Sequence, residues 1–303
     1  MANEMLTYRT SYNERDVTSS ITNVSPTETP FFSLIGNRKA TSRRIESLTD
    51  SNKAADADNA LTEGGSLANT ALNDRSVETN WTQIFRKVIE VSGTQEVVMK
   101  YGDIKSEMKY QLTKAHKEIA TDVEKALITQ ASASGASGTA RKLDGAIAKI
   151  TTNALTADVT GTTWVGTSDA NIAAFEERFN DMFQTAFNNG GSLTHVFVGG
   201  TLKRRISKLT QKVTRNTDAE KKTQILVINN YESDFGNMSI VLNRYVPDST
   251  VLAVNINSWK VSYLRTFSQF DLAKTADSKR WAILGELSLH CDTQKDGAKI
   301  VAT

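Results

Sequence analysis

Apolar and polar residues alternate along the segment from Ser76 to Val91, which is the clearest strand signal in the chain. The apolar parity contains Val77, Trp81, Phe85, Ile89 and Val91. A period of two predicts a β-strand with one buried face. The expected hairpin partner is the weaker strand Ala40–Thr49, joined to it by a polar connection over residues 50–73. About 16 residues at about 3.3 Å each rise roughly 50 Å, so this hairpin reaches beyond a compact domain.

Apolar residues spaced four and three apart predict a long amphipathic helix from Asp103 to Gln130, with Asp103 as its N-cap. The stripe consists of Ile104, Met108, Leu112, Ala115, Ile119, Val123 and Leu127. At about 1.5 Å per residue the helix spans roughly 40 Å, enough to cross a domain. The run 131–140, rich in Ala, Ser and Gly, is typical of a flexible loop and ends the helix.

Helices and strands alternate in the second half of the chain. An amphipathic helix is predicted over Ala170–Asn188, with Gly190 and Gly191 as its C-terminal stop. Its inward residues are Ile172, Phe175, Phe179, Met182, Phe183, Ala186 and Phe187. A further helix begins at Thr201. Strands are predicted at Thr194–Val198, Gln224–Asn229, Ser239–Val246, Val251–Ile256, Trp259–Leu264 and Trp281–Leu289. This order indicates a mixed α/β unit.

The first 36 residues have no sustained period and are interpreted as an extended polar arm. The arm ends in an apolar group that follows Pro30. Since proline biases the preceding residue toward extended geometry, Thr29 is expected to lie outside a helix. An apolar group at the end of an arm needs cover, so we expect this end to dock on another surface.

Composition excludes several classes of function. The 303 residues include 36 Lys and Arg against 34 Asp and Glu, and no stretch approaches the roughly 18 apolar residues that a membrane span requires. One Cys and three His exclude a disulfide framework and the usual thiolate or imidazole metal sites. The GxSxG, HExxH, CxxC and P-loop signatures are absent from the sequence. We therefore predict no enzyme activity, no catalytic residue, no metal site, no cofactor and no membrane partner.

Two weaker chemical signals have ordinary structural explanations. His290 and Cys291 invite a nucleophile-and-base hypothesis, but adjacent strand residues point to opposite faces, which favours a buried cysteine and an edge histidine. Gly199 and Gly200 precede a helix in the manner of a phosphate-binding turn, and Thr201 as an ordinary N-cap explains them about as well.

Positive charge is concentrated in residues 201–222, where eight Lys or Arg against two acidic residues give +6 in a chain whose total is +2. Clustered cations displace counterions from DNA, so one interpretation is non-specific contact with duplex DNA. The alternative is a solvated helix face or an electrostatic contact between subunits. No aromatic residue interrupts the run, which argues against a base-stacking platform. The candidate residues are Lys203, Arg204, Arg205, Lys208 and Lys212.

A non-compact arm, a long hairpin and a long helix together predict an oligomer, because extended elements with apolar faces need cover from another chain. The residues expected at contacts between subunits are Phe31, Phe32, Leu34, Ile45, Trp81 and Phe85.

Several segments resemble the major head proteins of tailed phages in the SU10-like group. The strongest is Asn80–Gln95, which lies just before the long helix. Shorter ones are Thr29–Gly36, Leu143–Ile147, Leu272–Lys279 and Leu284–Leu289. Their spacing extends the resemblance over essentially the whole chain.

The resemblance implies an α+β capsid fold of the Hong Kong 97 type and a mechanical function. Copies would form pentamers and hexamers of an icosahedral head that encloses double-stranded DNA. The implied divisions are an N-terminal arm at 1–37, an extended loop at 38–92, a peripheral domain with the spine helix at 93–150, an axial domain at 151–255, and a return to the peripheral domain with a C-terminal tail at 256–303.

The same resemblance implies partners and a location. The expected partners are further copies of the chain, a portal protein, a decoration protein, packaged DNA and a separate scaffolding protein, since this length leaves little room for a cleavable scaffolding segment. The expected location is the virion, with assembly in the host cytoplasm. Two alternatives stay open: an encapsulin-like shell that encloses enzymes, and a DNA-binding protein that uses residues 203–222. A hydrolase requires a role for His290 or Cys291.

Overall fold

A computed structural model describes residues 27–67, 69, 72–98, 104–157, 169–209, 230–274 and 276–302. Helices within these ranges are α1 Pro30–Leu34, α2 Gly93–Val97, α3 Glu107–Thr129, α4 Ala146–Lys149, α5 Asp169–Asn188 and α6 Gly200–Leu209. Strands are β1 Gly36–Lys39, β2 Arg44–Thr49, β3 Ser76–Trp81, β4 Gln83–Ser92, β5 Ala154–Ala157, β6 His195–Val198, β7 Asn230–Ser233, β8 Gly236–Leu242, β9 Thr250–Val254, β10 Trp259–Asp271, β11 Ser278–Cys291 and β12 Gly297–Ala302. The predicted strand Gln224–Asn229 lies outside the described residues.

The strands form three sheets. A four-stranded sheet has the order β1-β10-β11-β4, a six-stranded sheet has the order β5-β12-β9-β6-β8-β7, and β2 pairs with β3 alone. The first sheet packs against α3 around Phe85, Val123, Leu127 and Ile283. The second packs against α5 and α6 around Phe179, Met182, Val196, Leu202 and Ile300. Phe197 of β6 belongs to the first of these cores while its neighbour Val196 belongs to the second, so the six-stranded sheet is buried on both faces.

The predicted hairpin is present, but the strand predicted over Ser76–Val91 is two strands. β3 pairs antiparallel with β2, whereas β4 pairs with β11 in the four-stranded sheet. The break falls at Thr82, which is fully buried. Its amide donates to the Arg43 carbonyl oxygen at 2.9 Å, and its hydroxyl donates to Glu286 Oε1 at 2.6 Å. Only residues 44–81 therefore form the separate hairpin, and the rest of the predicted extended loop, 38–92, contributes strands to the body.

Glu286 is a buried carboxylate with three partners. Besides Thr82, it contacts Arg141 at 2.6 Å and Arg265 at 2.9 Å. Arg141 follows the segment predicted as a flexible loop, which is instead a short hairpin closed by bridges between Ala133 and Lys142 and between residues 136 and 139. Gly135 and Gly138 turn this hairpin with φ of 75° and 81°, values that side chains disfavour.

The long helix α3 begins at Glu107, later than predicted. Ser106 is its N-cap and accepts a hydrogen bond from the Lys109 amide at 3.4 Å, so the assignment of that role to Asp103 is wrong. The Glu96 carboxylate accepts from the Glu107 amide at 2.9 Å and thereby satisfies the helix start with a negative charge. The predicted apolar stripe is otherwise correct, because the α3 residues Met108, Ala115, Ile119, Val123 and Leu127 are buried.

The last strand, β12, lies between β5 and β9 of the six-stranded sheet, so the predicted C-terminal tail ends as a strand of that sheet. Ala298 and Ile300 are fully buried there, and the Asn153 amide donates to the carbonyl oxygens of Lys295 and Gly297 at 2.8 and 3.0 Å. Burial of apolar residues on the sheet thus fixes the C-terminal strand. On α5 the predicted inward residues are buried except Phe187, which is 64% exposed.

Helix α1 is fixed to α3 by one carboxylate. Glu124 is fully buried and accepts hydrogen bonds from the amides of Phe31 and Phe32 at 2.9 and 2.7 Å and from the side chain of Asn243 at 2.5 Å. These amides belong to the first turn of α1, where backbone N–H groups have no acceptor within the helix itself. Glu124 therefore supplies a cap from a distant part of the sequence.

We expect Glu124→Ala to lower the free energy of unfolding by about 3 kcal/mol, because it leaves buried donors without an acceptor. Urea unfolding of the unassembled chain measures this. Glu118→Ala on the same helix removes only exposed ion pairs with Lys87 and Lys114 and should cost less than about 1 kcal/mol. Equal costs for the two variants would show that Glu124 does not hold α1.

Candidate interaction surfaces

The outward face of the β2–β3 hairpin carries apolar side chains without cover. The cross-strand pairs on this face are Arg44 with Trp81, Glu46 with Thr79, and Leu48 with Val77. Leu48 is 69% exposed and Val77 is 50% exposed. The Arg44 guanidinium lies 5.8 Å from the centre of the half-buried Trp81 ring. The polar pair Glu46 and Thr79 separates Trp81 from the apolar pair Leu48 and Val77, and that apolar pair is the part of this face that the described part of the chain leaves exposed.

The opposite face of the hairpin packs on the body, and apart from the buried Ile45 it is polar. The Asn80 side-chain amide donates to the carbonyl oxygens of Leu289 at 2.7 Å and Asp144 at 3.0 Å. The Ser47 hydroxyl donates to the Cys291 carbonyl oxygen at 2.7 Å. The predicted orientation is therefore inverted in β3, where the polar parity is buried and the apolar parity points outward. Carbonyl oxygens of β11 and Asp144 accept from Asn80, and Lys149 lies 3.3 Å from the Glu78 carboxylate, which permits this burial.

The connection between β2 and β3 extends the apolar surface. Leu61, Leu67 and Leu72 are 61%, 89% and 91% exposed. Single exposed leucines are ordinary, but three in one connection, next to the outward pair Leu48 and Val77, indicate a surface for association.

The predicted contact residues divide into two groups. Phe31, Ile45 and Phe85 are buried within the chain itself and offer no surface to a partner. Phe31 packs edge to face on Phe197 with ring centres 5.2 Å apart, so the end of the arm docks on its own body. Phe32 is half-buried, as is Trp81, and Leu34 is 42% exposed, so these three remain predictions for contacts between subunits.

The basic helix α6 does not present one uniform charged face. Arg205 is 5% exposed and lies with its guanidinium 5.1 Å from the centre of the Phe175 ring. Lys203 donates to the Ile240 carbonyl oxygen at 3.1 Å, and burial lowers the pKa of both cations. Arg204 is exposed. Lys212 and the side chain of Lys208 lie outside the described residues. The inclusion of Arg205 in a nucleic-acid surface is therefore wrong, because it packs in the core.

The Asp248 carboxylate packs against the turn that precedes α6. The Thr201 hydroxyl donates to Asp248 Oδ2 at 3.1 Å, and the helix already begins at Gly200, so Thr201 is not the N-cap. A Cβ at Gly199 would lie 2.5 Å from Asp248 Oδ1. The glycine is required by this close approach, and the anion at the helix start is Asp248 itself.

His290 and Cys291 do not form a nucleophile and base. Cys291 is 2% exposed, its thiol donates to the Thr293 carbonyl oxygen at 2.9 Å, and burial raises its pKa. His290 Nε2 lies 2.9 Å from Asp292 Oδ1. His290 pairs across the sheet with Lys260 of β10, while the pairing of β11 with β4 ends at Leu287, so His290 has a strand on one side only, and it is buried. In the described ranges no group of His, Cys, Asp and Glu has the arrangement of a metal site.

The sequence model of the SU10 major capsid protein family matches residues 4–303. The chain belongs to the SU10 major capsid protein family. The major capsid protein of Escherichia phage Phieco32 is 26% identical over 312 residues, which cover 88% of this chain and 87% of that protein.

Solved capsids have the same fold. The capsid of cyanophage A-1(L) superposes with a TM-score of 0.69 at 12% identity and covers 95% of this capsid protein and 96% of that chain. The capsid of Myoviridae phage XM1 superposes with a TM-score of 0.64 at 11% identity, and the match covers 100% of each chain. The capsid of the native GTA particle, computed with C5 symmetry, superposes with a TM-score of 0.63 at 10% identity, and the match covers 96% of each chain. The predicted Hong Kong 97-type fold is confirmed.

The function is that of the family: this capsid protein is the major structural component of a tailed-phage head and is part of the virion. The family match favours a phage head over an encapsulin-like compartment and a DNA-binding protein, and the burial of Cys291 argues against a hydrolase that uses this thiol. Within the described part of the chain no helix is long and apolar enough to cross a membrane.

We expect Cys291 to resist a water-soluble thiol reagent at pH 8, because burial holds the thiol in its protonated form and keeps the reagent out. Absorbance of the released chromophore measures the reaction. In denaturant the same thiol should react fully. Ser51→Cys, at an exposed position of the hairpin, is the matched control and should react at once in the folded chain. Equal rates at both positions in the folded chain would refute the buried assignment.

Proposed function

We propose that copies of this chain assemble in the host cytoplasm into pentamers and hexamers of a closed icosahedral shell, and that the β2–β3 hairpin supplies a contact between copies. The observation that carries this proposal is the uncovered apolar face of the hairpin, with Leu48 and Val77 paired across the strands. Full burial of each such side chain is worth about 1.5–3 kcal/mol. A second copy is the natural cover, since every subunit of a shell brings both the face and its receptor.

The polar seam on the inner face supports the same proposal. The hydrogen bonds of Asn80 and Ser47 to β11 fix the direction in which the hairpin leaves the body. A pre-organised hairpin loses less conformational entropy on binding than a free one. The C5 symmetry of the GTA capsid, which has a similar fold, supports five-fold rings among the capsomers.

The proposal also includes three further proteins and the packaged DNA as partners. A separate scaffolding protein, a portal protein and a decoration protein would act during assembly and on the finished head. Packaged double-stranded DNA would make non-specific contacts, which exposed cations such as Arg204 support. The proposed role is mechanical and includes no turnover of a substrate.

Expression of the chain with and without a scaffolding protein, followed by electron microscopy and sedimentation, tests assembly. Shells, tubes or capsomers are the expected products. Leu48→Asp with Val77→Asp should lower the assembled fraction about tenfold or more, because two charges replace side chains that become buried between copies. The melting temperature of the unassembled chain should stay the same, since both positions are exposed in the single chain.

The matched control is Leu48→Met with Val77→Ile, which keeps apolar side chains at both positions and should assemble like the unaltered chain. A monodisperse monomer under all conditions would refute the assembly proposal. Normal shells from the double Asp variant would leave assembly intact and remove the hairpin face from it.

A further inference from the structure

A concavity of about 520 Å³ lies between the start of the β2–β3 hairpin and the short glycine-containing hairpin of residues 133–142. Two arginines line it, Arg43 and Arg141, together with the hydroxyl side chains of Ser134, Ser137 and Thr139. Among the described residues that line it there is no aspartate or glutamate. Two cations that share one concavity without an acid repel each other, so the site favours an anion.

Arg43 has a side chain that is available to a ligand. It is exposed, and in the described ranges its guanidinium has neither an ion pair nor a hydrogen bond. Its backbone is held in place, because the Arg43 carbonyl oxygen accepts a hydrogen bond from the Thr82 amide at 2.9 Å. Arg43 therefore offers an unpaired charge from a fixed point of the chain.

Arg141 is a cation that the protein positions in advance. Its Nη2 lies 2.6 Å from Glu286 Oε1, and only 24% of its side chain is exposed. A guanidinium has five N–H groups, and Arg141 has no second acceptor in the part of the chain that the structure describes. Glu286 is shared with Arg265 at 2.9 Å. Arg43, Arg141 and Arg265 against Glu286 therefore leave a local charge of three minus one, or +2.

The 133–142 hairpin adds neutral donors beside these cations. A Cβ at Gly135 would lie 2.5 Å from Arg141 Cγ, so glycine is required for the backbone to pass this close to the arginine. The amides of Ser134, Gly135 and Ser137 have no acceptor among the described residues, and the hydroxyls of Ser134, Ser137 and Thr139 have no partner there either. Free amides in a turn that contains positive φ form the type of concave donor set that binds anions.

The charge and the donors favour a phosphate dianion over a carboxylate. A carboxylate has two oxygens and a single charge, whereas phosphate brings a charge of about −1.5 to −2 and three or more acceptor oxygens. Guanidinium groups bind phosphate in a bidentate manner. The volume lies within the range of about 300–1,000 Å³ that is typical of small-molecule sites, so a phosphate carried by a larger molecule also fits. We propose that the concavity between Arg43 and Arg141 binds a phosphate dianion, as inorganic phosphate or as the phosphate of a nucleoside monophosphate.

A bound phosphate would connect two parts of the subunit. Through Arg43 it would hold the start of the β2–β3 hairpin, and through Arg141 it would hold the 133–142 hairpin. A ligand that binds only the folded state stabilises the parts that it connects. This inference goes beyond the proposed assembly and does not need it, since the site lies within a single subunit.

Isothermal titration calorimetry on the unassembled chain at constant ionic strength tests the site. Inorganic phosphate and a nucleoside monophosphate should both bind, whereas acetate at the same concentration should not. Arg43→Gln should weaken phosphate binding by about tenfold or more, because it removes the unpaired cation and leaves the contacts of Glu286 in place. The matched control is Arg75→Gln, at the far end of the same hairpin, which should bind phosphate like the unaltered chain.

Hydrogen exchange gives a second reading that locates the ligand. Phosphate should slow the exchange of the Thr82 amide and of residues 133–142, and it should leave the amides of α5 unchanged. Absence of phosphate binding, equal affinity of the Arg43→Gln variant, or protection that avoids Thr82 would overturn the site. Equal binding of acetate, or of a short DNA duplex in place of both phosphate probes, would overturn the assignment to a phosphate dianion. Failure of the chain to form shells would refute the proposed function and leave this site standing.

Discussion

The buried Glu286 carboxylate is the interaction on which the rest of the subunit depends. It binds Thr82, Arg141 and Arg265 from three separate segments, and it lies where β3 leaves the body. Removal of one partner from a buried charge pair typically costs about 3–5 kcal/mol, because the remaining charge has no compensation. Glu286 therefore fixes three features relative to one another: the bend at Thr82, the glycine-containing hairpin that ends at Lys142, and the position of β10.

The hairpin reverses the usual relation between polarity and burial. The polar side chains of Ser47 and Asn80 pack on β11 because backbone carbonyl oxygens there accept their hydrogens, and of its apolar side chains Ile45 is buried whereas Leu48 and Val77 remain outside. The subunit has complete cores without the hairpin, one on each side of the β6 strand. Folding thus leaves Leu48 and Val77 uncovered, so in the proposed assembly a subunit can fold first and still keep apolar surface for its neighbours.

The spacing of apolar residues predicts helices and strands better than it predicts which surface packs against each of their faces. The spacing on α3 and α5 gave helices close to those observed, because burial of one stripe is a local property. The period of two also predicted the pairing of β2 with β3. It failed on Val77 and Asn80, since alternation marks two unlike faces but does not say which one meets the chain's own body. Phe31 was misjudged for the same reason: its cover, Phe197 and α3, lies far away in sequence.

The sequence predicts a chemical feature correctly when that feature depends on neighbouring residues alone, and it fails when the feature depends on tertiary contacts. The absence of catalytic motifs was readable directly, whereas the burial of Arg205 against Phe175 and the approach of Asp248 to Gly199 depend on tertiary contacts that no short motif encodes.

The cap that Glu124 places on α1 determines how a subunit carries mechanical load. Tension on the chain ahead of Thr29 meets the exposed ion pair of Glu28 with Arg244 and then the buried Phe31 and Phe32 amides, and from these amides it passes to α3, which is the longest helix described. The short edge strand β1, with four residues of pairing, lies behind this anchor and is shielded from the pull. Forces that adjoining subunits exert on this end of the chain would thus be spread along a stiff rod instead of peeling a sheet open from its edge.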